Sequence, residues 1–166
     1  MSDMTTSGVR QSGVKLTLQY LAFLIGGILF LWLLLWAAEE FLGVTPSSNA
    51  MGIVLPLVAA MAVAGLWYKK EGARPASGRA WGMALVWGVV TVALQLLLVY
   101  AAWKAGALAE LIGSNGPTDE DRQMFAIVFA VLGVVQVLVL RLGLWLGFRG
   151  TAKQLEREAA KRAKAF

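Results

Sequence analysis

Residues 16–38 read LTLQYLAFLIGGILFLWLLLWAA, twenty-three positions without one Asp, Glu, Lys or Arg. As an α-helix rising ~1.5 Å per residue, this stretch is about 34 Å long, enough to cross the ~30 Å hydrocarbon core of a bilayer. A cleavable signal peptide has an apolar core of only ~7–15 residues and a small-residue cleavage site. Here the nearest small pair, Ala37-Ala38, has Trp36 where a small side chain is wanted. The segment therefore reads as a retained span.

Three more charge-poor stretches follow. Residues 50–68 come after a loop at Gly43, Thr45, Pro46, Ser47, Ser48 and Asn49; residues 80–103 are charge-free; residues 123–148 are interrupted by Arg141 alone. Four runs of this length, without dyad alternation, predict an all-α membrane protein with four transmembrane helices in an antiparallel bundle. A β-barrel would need strands of roughly ten alternating residues. Residues 1–15 form an N-terminal tail and residues 149–166 a basic C-terminal tail. Composition agrees: 58% of the chain is apolar and 15% charged, against roughly 45–50% and about 25% in soluble domains. The mean hydropathy is +0.67.

The charges set an orientation. Thirteen of the fifteen basic residues fall in the N-terminal tail (Arg10, Lys15), the second connection and the stretch from Arg141 to the C-terminus. Lys104 and Arg122 alone lie on the other side, with six of the ten carboxylates. The positive-inside bias then puts both termini in the cytoplasm. Aromatic rings follow the same division. Tyr20, Trp67, Tyr68, Trp81 and Trp145 fall at the depth of the cytoplasmic headgroups, and Trp32, Trp36, Tyr100 and Trp103 at the opposite interface.

The connections carry local signals. Gly72 can end the second helix, Pro75 blocks its continuation, and Ser77 suits an N-cap. Residues 105–112 can form a short interfacial helix before the Gly113-to-Pro117 break. Thr118 with Asp119, Glu120 and Asp121 reads as an N-cap with acids in the first helical turn. The acidic run lacks the spaced oxygen ligands of a calcium loop. Pro56, one turn inside the second helix, should kink it or be absorbed near its start.

Chemistry is scarce. The chain has no Cys and no His, which removes thiolate and imidazole nucleophiles, bases and metal ligands. No Asp, Glu or Lys lies in the middle of a span, so no enzyme, cofactor or metal is expected. The polar candidates within the membrane are Gln95, Gln136 and Arg141. Each glutamine is expected to clamp helices, by bonding the other or a backbone carbonyl, and Arg141 to snorkel or bind lipid phosphate. Small residues recur at helical spacing in Ala22/Gly26, Ala60/Ala64, Ala84/Gly88, Ala126/Ala130 and Gly143/Gly147, where helices can approach closely. In the tail, Lys153, Arg157, Lys161 and Lys164 line one face of an amphipathic helix suited to lie on an anionic leaflet. Lipid-headgroup or partner contacts are expected there and at Lys69, Lys70, Arg74, Arg79 and Arg149. Nucleic-acid binding would need a larger basic surface.

The turn KKEGARPASG at 69–78, the Glu-Phe-Leu-Gly run at 40–43 and the Arg141-to-Gly147 stretch resemble a family of uncharacterised small bacterial four-helix inner-membrane proteins. The resemblance implies a four-span inner-membrane fold and no particular activity. The charged tail after Arg149 exceeds what that pattern requires, which marks it as a place for a partner. Two functions fit these readings. One is a non-enzymatic accessory, assembly or structural subunit that binds another membrane component or its own copies. The other is a small oligomeric transporter or lipid-handling protein.

Overall fold

The computed structural model describes residues 10–43, 51–106 and 118–164. These form four helices, α1 (Gly13–Leu42), α2 (Met51–Glu71), α3 (Ser77–Lys104) and α4 (Asp119–Ala163), with no strand among the described residues. All four are long and apolar enough to cross a membrane.

The helix ends follow local chemistry. Gly43 (φ 63°) and Gly72 (φ 70°) adopt the left-handed conformation that ends a helix without a Cβ penalty. Their N–H groups bond the carbonyls of Glu39 and Tyr68 at 3.1 and 2.9 Å. Thr118 and Asp121 form a reciprocal capping box: the Asp121 N–H donates to Thr118 Oγ1 at 3.2 Å, and the Thr118 N–H to Asp121 Oδ2 at 2.9 Å. Ser77 is not the cap of α3. Ala76 holds that place with extended backbone (ψ 143°), so Ser77 is already helical. Of the expected interfacial helix, 107–112 lie outside the described residues, while Ala105 and Gly106 close α3.

The largest departure from expectation is at the C-terminal side. The fourth span and the basic tail are one uninterrupted helix of 45 residues, about 67 Å long at ~1.5 Å per residue. Gly150 does not break it. The turn there is held by Thr151, whose hydroxyl is buried and donates to the Gly147 carbonyl at 2.9 Å. A tail continuous with its span has no joint at which to fold down onto a leaflet.

Four helix contacts build the bundle: α2 on α4, α3 on α4, α1 on α2 and, least extensively, α1 on α3. Apolar burial drives little association inside a bilayer, so the packing depends on close backbone approach. The Ala60/Ala64 and Gly143/Gly147 pairs turn out to be each other's partners. A Cβ on Gly143 would come within 2.9 Å of the Leu57 carbonyl oxygen, and one on Gly147 within 2.6 Å of both Ala64 Cβ and the Met61 oxygen. Further along, Gly65 faces Thr151, so the register climbs together along α2 and α4. Ala84 and Gly88 are buried as well, Gly88 against Val137. Ala22, Gly26, Ala126 and Ala130 are exposed.

Burial is confined to one end. The enclosed residues run from Leu16 to Leu24, Pro56 to Trp67, Ala80 to Thr91 and Gln136 to Thr151. None of the described side chains at 25–42, 92–104 or 119–135 is buried. We term the packed end, where α1 begins and the α4 tail leaves, the basic end, and the other, with Glu39, Glu40 and Asp119, the acidic end.

Candidate binding surface at the basic end

Three elements meet at the basic end through one ion pair. The Arg79 guanidinium, at the start of α3, donates to Glu71 Oε2 at 2.9 Å and to the Gln11 carbonyl, and lies over the Trp67 ring at 4.8 Å. The other oxygen of Glu71 accepts the Gln11 backbone N–H at 2.6 Å. Glu71 stands three residues past Tyr68, the last apolar residue of its span, and its side chain is 11% exposed. Desolvation pushes its pKa up. The Gln11 amide, the nearby Trp67 indole and Arg79 together outweigh that and hold the carboxyl below its ordinary value. The indole N–H lies beside this carboxylate without forming a well-aligned hydrogen bond. Arg79 is thus a clasp between α1, α2 and α3, and its contacts in the fold are with its own chain.

Beside this clasp a groove of about 460 Å³ opens between the end of α2 and α4. Arg74 comes from the connection, and Arg149 and Lys153 from successive turns of α4. Tyr68, Trp145 and Glu156 complete the walls. Arg149 lies over the Trp145 ring at 5.2 Å. Neither Arg74, Arg149 nor Lys153 forms an ion pair among the described residues, although Glu156 shares the groove. Residues 75 positions apart in sequence therefore present three cations against one carboxylate to a single recess with an aromatic wall. Such a recess suits an anionic group. Lys69 and Lys70 are exposed in the last turn of α2, where cations favour the helix dipole. Arg157, Lys161 and Lys164 are exposed along the end of α4.

Two aromatic rings expected at headgroup depth belong to the core instead. Tyr20 and Trp67 are both 0% exposed. Depth along the sequence says nothing about which face of a helix a ring occupies, and these two face inward. Trp67 packs edge-on against Phe148 at 5.5 Å. Tyr20 stacks on Trp87 at 4.6 Å, with the planes 2° apart. A chain of hydrogen bonds surrounds that stack. The Tyr20 hydroxyl donates to Thr91 Oγ1 at 2.7 Å, and Thr91 donates to the Trp87 carbonyl at 2.8 Å. The Trp87 indole donates to Thr17 Oγ1 at 3.2 Å, and Thr17 to the Gly13 carbonyl at 3.0 Å. This chain ties α1 to α3. Sequence reasoning passed over it because isolated Thr residues in apolar runs look unremarkable; the signal was the shared helical spacing of Thr17 with Tyr20 and of Trp87 with Thr91. Gln19 was also overlooked, and its buried Oε1 has no hydrogen-bond donor.

The membrane-depth candidates are not brought together. No hydrogen bond joins Gln95 to Gln136. Gln95 Nε2 donates instead to the Gly52 carbonyl at 3.4 Å. That carbonyl is the one Pro56 would have bonded from position i+4 had it an N–H. Gln95 therefore covers a backbone acceptor that proline leaves open. Gln136 is 4% exposed and its Nε2 has no acceptor. Arg141 lies over the Trp81 ring at 5.4 Å, with Nε buried and unpaired. No group of His, Cys, Asp and Glu able to hold a metal occurs among the described residues.

No family model matches the chain, and no curated protein or solved structure matches it either. The likeness drawn from its sequence rests on three short motifs.

Proposed function

We propose that this chain is a non-enzymatic inner-membrane protein that serves as an accessory, assembly or structural subunit by binding another membrane component along α1. In this reading the helices form an antiparallel four-span bundle. The opposed pairs Gln11/Glu71, Gly27/Leu55, Gly88/Val137 and Gly133/Val92 support it. Both termini face the cytoplasm, as the thirteen-to-two division of basic residues requires, and the basic end meets the anionic leaflet or a partner's acidic segment. No nucleic acid and no cofactor enter this role.

The observation that carries the proposal is the bareness of α1. Among its described side chains only Leu16, Tyr20 and Leu24 are buried. Ala22 and Gly26 sit in the middle of its exposed face, between Leu18 and Leu29, and nothing approaches Gly26 within 4 Å of where a Cβ would stand. Small residues at this spacing are where membrane helices come close, and no helix among the described residues uses them.

A photo-crosslinking amino acid at Gly26 in native membranes should give an adduct of one discrete protein mass, a partner or a second copy. The same probe at Val89 should not. Lipid adducts alone at both positions would remove the proposal. A fluorescent reporter that matures only in the cytoplasm should be bright at Phe166; a dark reporter with an active periplasmic phosphatase there would reverse the orientation. The alternative, a small oligomeric transporter or lipid-handling protein, has in its favour an apolar groove of about 570 Å³ between α3 and α4.

A further inference from the structure

Arg141 is the one cation set within a span, and the described residues give its guanidinium neither a hydrogen bond nor an ion pair. Its sole polar contact of note is the Trp81 ring face. An arginine at membrane depth is costly and ordinarily pairs with an anion or a carbonyl. An apolar groove of about 570 Å³ runs between α3 and α4, and the last wall residues at its basic end stand one helical turn from this residue. Its walls include Leu85, Val89 and Leu96 of α3 and Gly133, Val134 and Leu138 of α4. Trp81 is one helical turn before Leu85 and Arg141 one turn beyond Val137, so both lie on the groove face at its basic end. From Leu85 to Leu96 the groove covers about 16 Å at ~1.5 Å per residue, the depth of one leaflet of a ~30 Å hydrocarbon core.

We propose that the α3–α4 groove with Arg141 is a binding site for one anionic phospholipid, an acyl chain lying in the groove and the phosphate on the guanidinium beside Trp81. The apolar walls match a chain, and the unpaired cation at one end only matches a single anionic head. Gly133 leaves space in the groove wall: a Cβ there would meet nothing closer than Val92 at 3.7 Å. This site is separate from the α1 face and stands or falls without it.

The test uses the full chain in a mild non-ionic detergent, read by native mass spectrometry. Phosphatidylglycerol should bind as one retained molecule, phosphatidylcholine should bind more weakly, and millimolar inorganic phosphate should not displace the lipid. Arg141→Gln should weaken phosphatidylglycerol about tenfold or more, the loss expected for a charge-assisted hydrogen bond, and abolish the preference over phosphatidylcholine. Gly133→Leu should block binding with the arginine intact. Lys104→Gln, at the acidic end and outside both grooves, should leave binding unchanged, and unaltered unfolding temperatures should show that all three variants are folded. Equal retention of the two lipids by the wild type, or phosphatidylglycerol retained undiminished by folded Arg141→Gln, would overturn the proposal. Displacement by inorganic phosphate would overturn it too, by showing an anion site without a chain.

Discussion

At the basic end Trp67, Trp87, Tyr20 and Phe148 are enclosed and the backbones of α2 and α4 nearly touch; at the acidic end Trp32, Trp36, Tyr100 and Trp103 all stand outward. The acidic half is no less apolar in sequence than the basic half. Hydrophobicity therefore does not decide which half packs, as expected where lipid tails are as good a solvent as leucine. Two features do: glycine and alanine aligned on facing helices, and polar groups that find partners across helices. The basic half has Gly143, Gly147, Ala60 and Ala64 in register, the Arg79–Glu71 clasp and the Tyr20–Thr91 hydrogen bond. Toward the acidic end, the one hydrogen bond between helices among the described residues is the long one from Gln95 to Gly52.

The sharpest way to break this comparison is one substitution made in both halves. Gly147→Ala places a Cβ 2.6 Å from the Met61 oxygen and from Ala64 Cβ, both fixed by helical backbone, so α2 and α4 must separate. Overpacking of this kind costs about 2–3 kcal/mol. Gly26→Ala meets nothing within 4 Å and should be neutral or stabilising by up to ~1 kcal/mol through helix propensity. Thermal unfolding in detergent measures both, and similar shifts would mean that the two halves are not packed differently.

Next in size is the clasp. Arg79→Leu removes a hydrogen-bonded charge and leaves Glu71 partly buried, at a cost of about 1.5–3 kcal/mol. Because the Glu71 carboxyl is held below its ordinary pKa, its stabilising contribution is fully present above the unfolded-state value and is lost as pH falls through the folded one. Glu71→Gln should therefore unfold earlier than wild type at pH 7, with the gap narrowing below about pH 4, near the unperturbed Glu value. A gap that stays constant from pH 7 to pH 3 would remove Glu71 from the clasp.

A smaller effect tests the acidic half. If Gln95 covers the acceptor that Pro56 leaves open, Gln95→Leu should cost about 1 kcal/mol in the wild type. It should cost almost nothing beside Pro56→Ala, where residue 56 supplies its own N–H. A double-mutant cycle reads that coupling, and additive effects would show that the two residues act independently.

How much of this was legible beforehand depends on which kind of signal was needed. Span number and the glycine stop at Gly72 follow from charge-free length and local backbone rules. The Thr118 cap follows from the same rules. That Ala60/Ala64 and Gly143/Gly147 would meet each other was beyond reach, since every one of five small pairs has the spacing and only three-dimensional register selects among them. Tyr20 and Trp67 were misread for a related reason: depth is written in the order of residues, whereas facing is fixed by the partner helix. The groove of Arg74, Arg149 and Lys153 was visible as cations but not as one recess, because it joins a connection to a helix more than seventy positions away.

The smallest expected effect is at Gly150, three residues from Gly147 on the same helix. Nothing lies within 4 Å of a Cβ there, so Gly150→Ala should stabilise by no more than about 1 kcal/mol, the helix-interior difference between the two residues. Its interest is geometric. If α4 runs unbroken through this position, residues 142 and 157 are about 22 Å apart along the axis at ~1.5 Å per residue. The chain has no native cysteine, so Leu142→Cys and Arg157→Cys can be spin-labelled as a unique pair. The distance distribution should be a single narrow peak, unchanged by Gly150→Ala. Gly150→Pro should broaden it, because proline removes an N–H from the ladder and clashes with the carbonyl four residues back. A broad distribution already present in the wild type would mean that the tail bends at Gly150. The basic face of Lys153, Arg157, Lys161 and Lys164 would then be free to lie along the leaflet, and the stiffness of the packed half would stop at Thr151.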